Sequence, residues 1–220
     1  MTRKIKTALV SDFDGTISDD DFFNYISRRW LGEEALAPWR QYMAGEKTHF
    51  EALREIFAAL RVQQPEFDEF ICQIKVDCHF FTVADYCRRH GMPVYICSAG
   101  CDYYINKLIG TEMGNTGVRL VANHGVYSPD KGLEMMPLPE DSPFYDPNIG
   151  VSKAAIVAYL QRRGYQVVYC GDGMPDVAAA AVADVVFARR MLLLQCRQLN
   201  IAAMELHDFD QVYRFLKGEK

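Results

Sequence analysis

Thr7-Ala8-Leu9-Val10-Ser11-Asp12-Phe13-Asp14-Gly15-Thr16 carries two carboxylates, two residues apart, at the end of a short apolar run. The run reads as a strand, and alternate strand residues face one side, so Asp12 and the start of the following turn point into one pocket. Two anions that close repel unless a cation lies between them or one holds a proton. Either outcome serves chemistry.

Two more apolar runs end the same way. Val94–Cys97 leads into Ser98-Ala99-Gly100, and Val167–Cys170 leads into Gly171-Asp172-Gly173; a fourth run, Val185–Phe187, follows Asp184. The second and third are each preceded by a helical pattern closing in an arginine pair and a glycine. Strands alternating with helices predict an α/β protein with a doubly wound parallel sheet, a Rossmann-like core. Ligands of such sheets lie beyond the carboxyl ends of the strands, where Asp12, Ser98 and Asp172 fall.

From 17 to 81 the rhythm changes. Phe22, Phe23, Tyr25, Ile26 and Trp30, then Phe50, Leu53, Ile56, Phe57 and Leu60, recur at helical spacing. The stretch is too long for an ordinary crossover and reads as an inserted α-helical cap, so residues 1–16 and 82–220 form the core and 17–81 the cap. A second irregular stretch, 111–150, holds five of the nine prolines. Within it Val118–Ala122 is a candidate strand and Gly125–Gly132 a candidate hairpin, with the rest, about 129–147, reading as extended loop of no evident purpose.

The chain has 220 residues, half of them apolar, which suffices for a large core. Its net charge of −5 and paired rather than massed arginines favour solvated helix faces over a nucleic-acid surface. Seven cysteines without a Cys-x-x-Cys pair fit buried thiols in a reducing compartment. No run approaches membrane-spanning length and the basic N-terminus lacks a signal-peptide core, so a cytoplasmic protein is expected. Trp30 and Trp39 are read as core or cap packing rather than a dimer surface, and oligomeric state is left open.

Asp12, Asp14 and Asp172 supply hard oxygen ligands suited to Mg²⁺, with Asp176 placed to orient them from behind. Lys153 follows Ser152, a candidate N-cap, where a cation opposes the helix dipole; it is either a phosphate-directed amine or a surface lysine. Ser98 with the Ala99 and Gly100 amides offers either an oxyanion cradle or a helix cap. The five histidines are expected to be satisfied or exposed structural residues.

Together these residues resemble the phosphatases of the haloacid dehalogenase superfamily. Its four motifs match in order at Asp12–Thr16, Ser98, Lys153 and Gly171–Asp176. The resemblance implies that Asp12 is the nucleophile of an aspartyl-phosphate intermediate and Asp14 the acid/base. It implies Mg²⁺ held by Asp12, the Asp14 carbonyl and Asp172, and a phosphoryl group bound by Ser98 and Lys153. The insertion after the first motif resembles the phosphoserine phosphatase-like branch, and Phe187–Cys196 resembles the corresponding tail of the 2-hydroxy-3-keto-5-methylthiopentenyl-1-phosphate phosphatases. Two features depart from these patterns. Asp21 stands where the phosphoserine enzymes have a cap glutamate, and Ile56 or Phe57 where they have a cap arginine; no cysteine-rich stretch precedes Lys153.

The expected activity is Mg²⁺-dependent hydrolysis of a small phosphorylated metabolite. A phosphotransferase sharing the intermediate, or a phospho-acceptor module without turnover, are the alternatives. Asp19, Asp20, Asp21, Phe22 and Phe23 are expected to select the substrate, the acidic cluster favouring a cationic or hydroxyl-rich leaving group. The same aspartates could instead merely favour a helix start.

Overall fold

β1 (Lys6–Ser11) lies at the centre of a seven-stranded sheet, in a computed structural model that describes residues 6–219. It pairs in parallel with β2 (Val94–Cys101) on one side and with β5 (Tyr165–Gly171) on the other. Beyond β2 come β3 (Arg119–Ser128) and β4 (Gly132–Met136); beyond β5 come β6 (Val185–Ala188) and β7 (Met204–Glu205). Every pairing is parallel except the β3–β4 hairpin. Central position follows from composition, because Ala8, Leu9 and Val10 are apolar on both faces and all are buried.

The connection after β1 is helical, as expected. It holds α1 (Phe22–Ile26), α2 (Ala37–Met43), α3 (His49–Ala58) and α4 (Gln64–Ile71), with a π turn and a 3₁₀ turn between α1 and α2. Thr48 and Glu51 cap α3 reciprocally, each satisfying a free amide of the other's turn. An antiparallel bridge between Ser18 and Val76 closes the neck of the insertion.

Six further helices sandwich the sheet. α5 (His79–Arg89), α6 (Asp102–Thr116) and α10 (Phe209–Lys217) pack on the face of Leu9, Ile96 and Val168. α7 (Lys153–Arg162), α8 (Val177–Val182) and α9 (Arg190–Gln198) cover the face of Ala8, Val10 and Tyr169. The period-two alternation along β1 thus divides the two cores. The drawn limit of the insertion at 81 falls inside α5. Among the described residues no helix is long and apolar enough to cross a membrane.

Two expectations change. The strand expected to end at Cys97 takes in Ser98, Ala99 and Gly100, so Ser98 does not cap the following helix: β2 runs on to Cys101, with its register against β3 shifting between Ser98 and Cys101. Such an irregularity re-aims side chains at the strand end. The proline-rich stretch also acquires a role. It forms the β3–β4 hairpin and then a run of turns in which Asn148 accepts from the Phe50 amide through its carbonyl (2.8 Å) and from the His49 amide through Oδ1 (3.1 Å). Prolines confine that segment to turns while it anchors the start of α3 to the core.

The hairpin grips the insertion as well. The Tyr127 hydroxyl donates to the Val62 carbonyl (2.5 Å) and accepts from the Val62 amide (3.1 Å). Gly132, at φ +78, passes so close to the Phe57 and Ala58 carbonyls that a Cβ would stand 2.8 and 2.7 Å from them. Tyr127→Phe strips both partners from the buried Val62 backbone, for which a loss of about 1–3 kcal/mol is expected. Chemical denaturation should therefore show a lower midpoint with an unchanged slope, and an unshifted midpoint would remove the Tyr127 anchor.

Candidate active site

At the carboxyl end of the sheet β1 brings Asp12 and Asp14, β2 brings Ser98, β5 brings Asp172, and the N-terminus of α7 brings Lys153. Ser152 caps that helix, accepting from the Ala155 amide at 3.3 Å. Lys153 is not a surface lysine. It is 2 % exposed, and its Nζ lies 2.8 Å from Asp12 Oδ1 and 2.6 Å from Asp176 Oδ1.

Asp176 closes a 3₁₀ turn (Met174–Asp176) just before α8. Lys153 and the Tyr169 hydroxyl (2.6 Å) donate to its Oδ1; the Asp172 amide (3.0 Å) and the Gly173 amide (2.8 Å) donate to its Oδ2. With both oxygens occupied, Asp176 orients the lysine and the Asp172 turn. Burial would raise its pKa, but the Lys153 charge and these hydrogen bonds overcome that and hold the carboxyl below the usual range. Burial likewise opposes the charge on Lys153, and Asp12 and Asp176 raise its pKa in spite of it.

Asp12 Oδ1 accepts from the Phe13 amide at 2.7 Å besides facing Lys153. Among the described residues no donor reaches Oδ2. Burial, then Asp176, raises the Asp12 carboxyl well above its ordinary value. Asp172, nearly as deep, is pushed up to about 7 by burial and by Asp176. Thr16 Oγ1 and Arg190 Nη1 each donate to it at 3.4 Å. Oxygens of Asp12, Asp172 and Asp176 lie within 4.8 Å of one another. One buried lysine among these carboxylates leaves an excess of negative charge, and the donors are hard oxygens. Asp12 and Asp172, whose oxygens are less fully occupied than those of Asp176, fit a small divalent cation such as Mg²⁺.

The Asp14 side chain turns away from that group. Ser98 Oγ (3.1 Å) and the Tyr104 hydroxyl (2.5 Å) donate to its Oδ2, and the Phe22 amide at the start of α1 donates to Oδ1 at 3.2 Å. Burial raises its pKa against these three donors. Its side chain is thus placed apart from Asp12 and Asp172. Ser98 Oγ also accepts from the Gly100 amide at 3.0 Å, so these two expected anion-binding groups are engaged with each other and with Asp14. Gly100 has no room for a side chain, because a Cβ would collide with the Tyr104 hydroxyl. Gly15, at φ +70, is constrained in the same way by Asp172.

Over these groups lies a cavity of about 530 Å³. Ala99 and Gly100 reach it from β2, and Asp21, Phe22 and Phe23 from the insertion. Asp19 and Asp20 do not. Asp19 is exposed and takes a hydrogen bond from the Tyr25 hydroxyl, while Asp20 pairs with Arg28 at 2.7 Å and accepts from Asn24 Nδ2 at 2.9 Å. The acidic cluster is therefore split, with one carboxylate facing the cavity. Burial, reinforced by Asp172, Asp14 and Asp20, pushes Asp21 up to about 8.

Sequence reasoning missed four residues here. Tyr104 and Tyr169 sat in apolar patterns that signalled only core. Arg190, expected on a solvated face, adopts φ +47, lines the cavity and donates to the Asp19 carbonyl. His49 is neither satisfied nor exposed: it is 5 % exposed, lines the cavity, and its Nδ1 has no partner.

The haloacid dehalogenase-like hydrolase family matches residues 9–181. A 2-hydroxy-3-keto-5-methylthiopentenyl-1-phosphate phosphatase of Bacillus pumilus is 26% identical over 206 residues, covering 93% of this chain and 88% of its own. A polyol phosphate phosphatase of Saccharomyces cerevisiae is 24% identical over 236 residues, covering 98% and 96%. A phosphoserine phosphatase solved as a phospho-aspartyl intermediate analogue superposes with a TM-score of 0.69 over 99% of this chain and 100% of its own, at 20% identity. The two-carboxylate motif, the seven-stranded sheet and the family match agree, and the chain belongs to the haloacid dehalogenase-like hydrolases.

Proposed function

We propose that the protein is a Mg²⁺-dependent phosphomonoesterase acting on a small phosphorylated metabolite through an aspartyl-phosphate. The observation that carries this reading is the pair of unlike aspartates. Asp12 is fixed by Lys153 through one oxygen with the other left open, while Asp14, raised in pKa, stands apart among hydroxyl donors.

In the first step Asp12 Oδ2 attacks phosphorus, and the bond to the leaving oxygen breaks as Asp14 protonates that oxygen. In the second, Asp14 takes a proton from a water that attacks the same phosphorus. The Asp12–phosphorus linkage breaks and inorganic phosphate leaves. Dividing the displacement in this way requires a nucleophile and a proton carrier, the roles assigned to Asp12 and Asp14. Lys153 and Ser98 would meet the phosphoryl oxygens. Mg²⁺ held by Asp12, Asp172 and the Asp14 carbonyl would supply the positive charge that offsets the phosphoryl group's.

Residues 17–81 would act as the cap that shields the reaction and selects the leaving group, chiefly through Asp21, Phe22 and Phe23. Phe57, rather than a cation, lines the cavity from α3, and the two cations present, Lys153 and Arg190, already face carboxylates. A leaving group bearing a carboxylate therefore finds little to bind. The seven cysteines are all unpaired, which suits a reducing compartment such as the cytoplasm.

Asp12→Asn should lower turnover of p-nitrophenyl phosphate by at least about a thousandfold while the circular dichroism spectrum stays that of the wild type. A variant as active as the wild type would displace Asp12 from the nucleophile's role. Treatment with EDTA should abolish turnover, and added Mg²⁺ should restore it. Full activity in chelator would remove the cation from the reading.

A further inference from the structure

His49 is the first residue of α3, and its ring is clamped edge-on by two aromatic rings from α2. Trp39 lies 5.3 Å away at 74°, and Tyr42 lies 5.2 Å away at 88°. Its backbone amide is fixed by Asn148, so the ring is held from the backbone as well as the sides. Yet its Nδ1, out of contact with solvent, has neither donor nor acceptor. A buried polar atom left unpaired is destabilising. The ring lines the cavity above the catalytic aspartates, and its other nitrogen, Nε2, is not sealed off in this way and has no hydrogen-bond partner among the described residues, so Nε2 is the atom that a bound molecule can pair with.

We propose that His49 is a specificity-determining residue of this cavity. As a neutral imidazole it would hydrogen-bond a hydroxyl group of an uncharged leaving group whose carbon skeleton lies against Trp39, Tyr42 and Phe23. The proposal rests on the phosphomonoesterase reading above and names the class of ester that reading leaves open.

A hydroxyl is the matching chemistry for three reasons. It both donates and accepts, so it satisfies either tautomer of the imidazole, whereas an ammonium only donates and a carboxylate only accepts. Burial, and after it the nearby Lys153 charge, lower the pKa of His49 to about 3, so the ring carries no charge with which to hold an anion. The same lysine disfavours a cation docked on the ring. The aromatic walls supply contact area for carbon and hold the imidazole in place.

The test compares esters that differ in one feature. Wild-type enzyme is assayed with erythritol 4-phosphate, n-butyl phosphate and 4-aminobutyl phosphate, with p-nitrophenyl phosphate as the activity reference. A site built to pair with a hydroxyl discriminates against the analogue lacking it. The hydroxylated ester should exceed the butyl ester in kcat/KM by about tenfold or more, mainly through KM. His49→Phe, which keeps the ring volume and loses both nitrogens, should bring that ratio near unity. His49→Gln, which retains a neutral donor and acceptor, should preserve part of it.

An active wild type with no preference for the hydroxylated ester overturns the proposal, whatever the variants do. So does a preference that persists in folded His49→Phe, or an amino ester that outperforms the hydroxylated one. A wild type inactive on every ester, p-nitrophenyl phosphate included, instead overturns the phosphomonoesterase reading and the proposal with it.

Discussion

A single buried ammonium holds this site together. Lys153 is enclosed between Asp12 and Asp176, and through Asp176 it is tied to Tyr169 and to the amides of the Asp172 turn. Burying a charge is costly unless it is paired, and removing one member of a buried pair leaves the other uncompensated. That constraint explains the arrangement. Each group is tolerable at that depth only because its neighbours are present, so two strand ends, those of β1 and β5, and the start of α7 are locked into a common register.

The network is also deliberately out of balance. The lysine offsets only part of the negative charge, and the carboxyls of Asp12 and Asp172 are raised by burial and by their neighbours while Asp176 is lowered. Chemically equivalent side chains acquire different tasks from their surroundings. Asp176, its carboxyl held below the usual range, positions its neighbours, Asp12 presents an open oxygen, and the Asp172 carboxyl is raised beside them. Asp14 is separated from all three by turning toward Ser98 and Tyr104 and toward the first amide of α1. That last contact joins the acid directly to the helical insertion, so the position of α1 and the disposition of Asp14 are mechanically linked.

Much of this was legible in the residues. The apolar run before Asp12 and its two counterparts dictate a parallel sheet with its chemistry at one edge, because strand alternation and crossover handedness leave few other solutions. Lys153 could be read as odd, since a cation there opposes the helix dipole, but only the fold reveals which anions compensate it. Other features were hidden for definite reasons. Tyr104 looks like any aromatic on a buried helix face, and its hydroxyl gains meaning only when β2 is long enough to bring Gly100 beneath it. The run Asp19–Asp21 suggests one acidic surface, but the local pairing of Asp20 with Arg28 separates its members. The proline-rich stretch looked purposeless because its partner, the start of α3, lies about a hundred residues earlier in the chain.

The central claim, that Asp12 becomes covalently phosphorylated during turnover, can be tested directly by trapping. Enzyme mixed with a turning-over phosphate ester is quenched in acid within the first cycles, digested, and mapped by mass spectrometry. The account predicts one phosphoryl group, labile to base, on the peptide containing Asp12 and on that residue. A phosphoryl group on another side chain, or steady turnover with none trapped on Asp12 at any time, would contradict it.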